Sequence, residues 1–67
     1  MKINEKVVKE QLRKMGIPQI RMARDLGMTH TKLNWYIKNY YQPSPEDQKK
    51  IATYLNLKES EIFDQNK

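Results

Sequence analysis

Gln19-Ile-Arg-Met-Ala23-Arg-Asp-Leu-Gly27-Met-Thr29-His-Thr-Lys-Leu33 holds two short helical patterns with a turn between them. Pro18 stands just ahead, and its fixed φ suits the first position of a helix. Met22, Ala23 and Leu26 share one face of that helix, which the spacing predicts over 18–26. Ala23 is small enough for a place where two helices cross closely. Gly27 supplies the positive φ that stops the helix and reverses the chain. Thr29 is a ready cap for the next helix, predicted over 30–38, so the link is about three residues long. Leu33, Tyr36 and Ile37, extended by Tyr40, form the buried side of this helix. Thr31, Asn34, Trp35 and Lys38 fall on its other face. Asn39, of a residue type that tolerates left-handed backbone, is its terminator.

Similar signals mark three more helices. Asn4 caps the first, over 4–15, with Glu5 in its first turn and with Ile3 and Val8 spaced as a hydrophobic staple. Val8, Leu12 and Met15 follow along one face, and Gly16 closes it. Ser44-Pro45-Glu46-Asp47 opens a helix over 45–55 with a cap, a proline and two acids at the positive end. Ile51, Tyr54 and Leu55 are its buried face. A last helix over 58–63 buries Ile62 and Phe63, and 65–67 is a frayed tail. No stretch alternates apolar and polar residues over several positions, and no Asn-Gly or Asp-Gly turn occurs. The fold class is therefore all-α: five short helices in one domain spanning 1–67, with a helix-turn-helix at the second and third.

The chain has 67 residues, room for one small domain that buries about 60% of its unfolded surface. Thirteen Lys and Arg oppose eight Asp and Glu, a formal charge of +5 and a pI near 9.6. The charge is uneven. Residues 1–42 carry nine basic groups against three acids, and residues 43–67 carry four against five. A cationic part backed by a near-neutral one suits a polyanion; DNA, RNA and anionic lipid are all open on charge alone. No cysteine and a single His30 exclude a disulfide and a Cys/His zinc site, so neither metal nor cofactor is expected. With no Cys nucleophile, no paired histidines and no Gly-rich phosphate loop, an enzyme is not expected either. No run is long enough to span a membrane, nothing resembles a signal peptide, and the expected compartment is the cytoplasm.

The quoted segment, continued through Asn39, Pro43 and the capped fourth helix to Ile62-Phe63, resembles the Cro and lambda-repressor-like (XRE-type) helix-turn-helix family. The resemblance covers about Glu5 to Asp64 and implies a regulator of transcription whose third helix enters the major groove of double-stranded DNA. It places base reading on His30, Thr31, Asn34 and Trp35, with Lys38 near the helix end. It places phosphate contact or support on Gln19 and Thr29, and backbone contact on Asn39, Tyr40 and Gln42. It also implies a homodimer on a pseudo-palindromic operator, with half-sites about one helical turn apart. The free chain is expected to be largely monomeric, with Tyr54, Leu57 and Phe63 as the pairing surface. No separate effector domain and no small-molecule ligand are expected, and a compact Cro-like repressor of phage or mobile-element type is the analogy. Three positions depart from the family pattern: Pro18 replaces a Ser or Thr cap, Leu12 and Ile37 replace an Arg–Glu pair, and Trp35 replaces a polar residue.

The residue types agree with this picture. An amide suits adenine, a hydroxyl and methyl suit either a base or a phosphate, and a cation suits guanine or phosphate. Lys6, Lys9, Arg13, Lys14, Arg21, Arg24 and Lys32 are available for phosphates, which supply much of such affinity. Plainer readings stand beside these. Trp35 has three placements open: on thymine methyls or sugars, over the second helix near Ile20, or in a dimer contact. His30 is also read as a solvated side chain, and Arg21 and Arg24 as uncommitted surface cations. Tyr40 and Tyr41 are phosphate donors or lids over the core. A protein-interaction module of antitoxin-like or anti-regulator type can use the same fold, because function lies in the site. RNA or single-strand binding ranks last, since most aromatics fall on buried positions. Salt discriminates: a groove reader loses duplex affinity steeply as salt rises, whereas an interaction module binds little DNA at any salt.

Overall fold

The computed structural model describes residues 2–64. Its elements run β1 (Lys2–Ile3), α1 (Glu5–Met15), α2 (Gln19–Asp25), α3 (His30–Ile37), α4 (Pro45–Leu55), α5 (Glu59–Ile62) and β2 (Phe63–Asp64). Three helix starts are closed by the side chains that the sequence offers. Asn4 Oδ1 accepts from the Val7 amide at 3.3 Å, Thr29 Oγ1 from Lys32 at 3.0 Å, and Ser44 Oγ from Asp47 at 3.2 Å. Each satisfies an amide that has no partner within its own helix. The chain leaves its first four helices through left-handed residues: Gly16 at φ 71°, Gly27 at 75°, Asn39 at 66° and Asn56 at 59°.

One buried cluster draws on all five helices. Val8 and Leu12 come from α1, Met22 and Ala23 from α2, Leu33, Tyr36 and Ile37 from α3. Ile51, Ala52 and Leu55 of α4 and Ile62 of α5 complete it with Ile3 and Phe63. Leu12 and Ile37 are both core residues here, so no ion pair is buried between them. Two amides tie the ends of α4 down. Gln48 Nε2 donates to the Pro43 carbonyl at 2.9 Å, and Gln11 Nε2 of α1 donates to the Leu55 carbonyl at 2.9 Å, one of the oxygens a helix end leaves free.

Several boundaries differ from the sequence reading. Pro18 is the cap of α2, at φ −72° and ψ 153°, and the helix spans Gln19–Asp25 instead of 18–26. The proline ring imposes the same φ in either role, and the extended ψ decides between them. α3 ends at Ile37 and not at 38, with Tyr40 beyond it 69% exposed instead of buried. α5 ends at Ile62, and Phe63 is extended. There Phe63 pairs antiparallel with Ile3, and Asp64 with Lys2. Two residues are too few for alternation to be read from sequence, and the partners lie at opposite ends of the chain. Phe63 is only 2% exposed, so it leaves no apolar surface for a dimer. The predicted tail at 65–67 lies outside the described residues.

Candidate nucleic-acid interface

α3 is seated by Leu33 and Ile37, both fully buried, and by Tyr36. Tyr36 Oη donates to Asp47 Oδ2 at 2.9 Å, which joins α3 to the first turn of α4. Opposite this buried side stand Thr31, Trp35 and Lys38, at i, i+4 and i+7, the spacing of one helical stripe. Thr31 is exposed, as is His30 at the first position of the helix. Asn34 lies on the flank toward α2, half-buried, where Gln19 Nε2 donates to its Oδ1 at 3.5 Å. Gln19 is the first residue of α2, so this contact spans the helix-turn-helix. It leaves the Asn34 amide hydrogens free to donate.

The other flank faces α4. Lys32 Nζ is 4.0 Å from Asp47 and 5.8 Å from the centre of the Tyr36 ring. Thr29 accepts the Lys32 amide with its oxygen, which leaves its own hydroxyl hydrogen free. Lys38 caps the end of α3, and its ammonium lies 3.3 Å from Glu5, which also holds Lys9 at 2.9 Å. The hydrogen bonds from Lys9 and then from Lys38 hold the Glu5 carboxyl below the usual carboxylate range. Arg21 is 3.8 Å from Asp25, whose Oδ2 also accepts from Tyr54 Oη at 2.7 Å. Among the described residues Arg24 has no ion-pair partner, and it is exposed.

Asn39 is not a free loop amide. Its Oδ1 accepts from the Ile3 amide at 2.8 Å, and its Nδ2 donates to the Ile3 carbonyl at 3.1 Å. The bond from the Asn4 amide to the Ile62 carbonyl fixes which backbone groups of β1 face β2. By antiparallel alternation those of Ile3 face outward, where a third strand would pair. The Asn39 side chain occupies that edge. Tyr40, Tyr41 and Gln42 follow as an exposed loop folded back on α3, since the Tyr40 and Tyr41 amides both donate to the Trp35 carbonyl, at 2.9 and 3.4 Å. The Tyr41 ring meets Trp35 at 5.1 Å between centroids and 54° between planes.

The structure thus gathers Gln19, Thr29, His30, Thr31, Lys32, Asn34, Trp35 and Lys38 about α3. Arg21 and Arg24 lie on α2, and Tyr40 and Gln42 in the loop after α3. Trp35 meets the ring of Tyr41. The edge-sealing role of Asn39 and the bracing role of Tyr41 were not read from sequence. The only signal for the second was an aromatic six residues after Trp35, beyond a helix terminator.

No helix is long and apolar enough to cross a membrane among the described residues. The chain matches the family model described as Helix-turn-helix over residues 8–62. No curated protein and no solved structure matches it. That span takes in α2, the turn, α3 and nearly the whole core built around them. The chain belongs to the helix-turn-helix family of XRE, lambda-repressor-like type, and is a DNA-binding regulator.

Proposed function

We propose that this chain is a sequence-specific repressor of the small Cro-like kind, of phage or mobile-element type, which reads the major groove with α3. The observation that carries this reading is the exposed row Thr31, Trp35, Lys38 on a helix whose opposite side is buried. Such a helix presents its side chains at fixed positions, as base reading requires. His30 and Asn34 extend the reading surface. Gln19 holds Asn34 from α2, so the helix pair is aligned at the residue that donates to a base. Arg24, Arg21, Lys32, Thr29, Tyr40 and Gln42 serve the phosphates, and Gln19 adds a donor at the start of α2. Asn39 supports the loop. Lys38 reaches DNA by exchanging Glu5 for the duplex, an exposed pair that costs little to open. Two copies bind a pseudo-palindromic operator with half-sites about one turn apart.

Selection of duplexes from a random pool tests this. The wild-type chain is expected to recover a consensus. Arg24→Ala is expected to recover the same consensus with weaker binding throughout, and Asn34→Ala to lose preference at one position, worth about 1–3 kcal/mol. An absence of any consensus sinks the reading.

A further inference from the structure

Trp35 stands in the middle of the outward row of α3, one turn after Thr31 and one turn before Lys38. It is 40% exposed, and the side chain it rests on, Tyr41, is 59% exposed. Two backbone bonds to the Trp35 carbonyl hold that tyrosine's loop against the helix. The indole is therefore braced on one side by the chain and open on the other. A groove lined by Thr29, Lys32, Trp35, Tyr36, Tyr41 and Gln42 runs beside it.

A large apolar surface at the centre of a groove-reading row requires an apolar complement. Set against polar base edges, it strips them of water and returns no hydrogen bond. The one apolar group on the base edges of the major groove is the C5-methyl of thymine. In the groove-reading orientation proposed above, the centre of the row faces the base edges, and the sugars and phosphates line the walls on either side. We propose that Trp35, braced by Tyr41, packs on a thymine methyl and sets the preference for thymine at that position of the operator. This inference rests on the duplex-reading function above and names the base that one side chain selects. Tyr41 is a positioning residue: it limits the orientations of the indole before binding, so less freedom is lost on the DNA.

The test starts from the duplex recovered by selection. Each thymine is replaced in turn by deoxyuridine, which lacks only the methyl, and then by 5-bromodeoxyuridine, whose bromine fills the same volume. At least one thymine is expected at which deoxyuridine weakens binding about fourfold, the transfer value of one buried methylene-sized group. Bromine restores the affinity there. Trp35 is the only tryptophan of the chain, so its emission on binding reports the same substitution without any variant. In Trp35→Ala that thymine becomes indifferent to its methyl while other positions keep their preference, and in Tyr41→Ala its sensitivity falls between the two. A consensus with no methyl-sensitive thymine, or a sensitivity that survives Trp35→Ala, overturns the inference and leaves sequence reading intact. Failure to recover any consensus overturns both.

Discussion

Asn39 ends α3 in left-handed backbone, and the same side chain seals the open edge of β1 with one accepted and one donated hydrogen bond. The two functions separate by substitution. Asn39→Gly keeps the φ and loses both bonds, a cost of about 1–2 kcal/mol. Asn39→Ala adds about 1 kcal/mol more, because a Cβ is strained at positive φ. Urea unfolding is expected to rank the wild type above Asn39→Gly and Asn39→Ala last. If alanine proves the more stable of the two variants, the backbone account of this helix end is wrong. Asn34 shows a related division of labour, with its oxygen turned to Gln19 and its amide hydrogens left for a ligand.

The helices differ in how their starts are finished. α1, α3 and α4 have side-chain caps, whereas Pro18 ahead of α2 and Lys58 ahead of α5 supply none. At α5 half of a capping box is already present, since the Lys58 amide donates to Glu61 Oε1 at 2.8 Å. Lys58 has the extended backbone of a cap, at φ −80° and ψ 150°. Lys58→Ser adds a side-chain acceptor beside the Lys58 carbonyl, which already takes the Glu61 amide at 2.9 Å, and is expected to stabilise the fold by about 0.5 kcal/mol. Thr29→Ala removes an existing cap and is expected to destabilise by about 1 kcal/mol. Opposite shifts in the urea midpoint check the pair. The three side-chain-capped starts were legible because a cap is a local event, written in residues three apart. The strand pair was not legible, because Ile3 and Phe63 meet only after the core has assembled. The same division runs through the candidate site. The outward row of α3 follows from helical period alone, while the partners of Asn34, Lys38 and Asn39 come from α2, α1 and β1.

Two tyrosine–aspartate bonds cross between helices at the scale of the whole molecule: Tyr36 to Asp47, and Tyr54 of α4 to Asp25 of α2. Burial, then the Asp47 carboxylate, pushes the Tyr36 phenol above its ordinary value of 10.0. For Tyr54 the bond to Asp25 acts first and burial second, in the same direction. A phenol whose folded pKa is raised binds its proton more tightly when folded. Its contribution is therefore complete below about pH 10 and fades as pH rises through the higher folded value. Melting temperature is expected to decline above about pH 10, and less steeply in Tyr36→Phe, which at neutral pH loses about 1 kcal/mol. Equal alkaline slopes in the two proteins would refute the Tyr36 contribution. Glu5 works on the acid side: its lowered pKa adds stability above about pH 4.5, lost as pH falls through the lower folded value. The sealed edge of β1 has a practical consequence for handling the protein. An affinity tag or fusion placed ahead of Lys2 loads the same bonds that finish α3, so its leverage reaches the surface proposed to meet DNA.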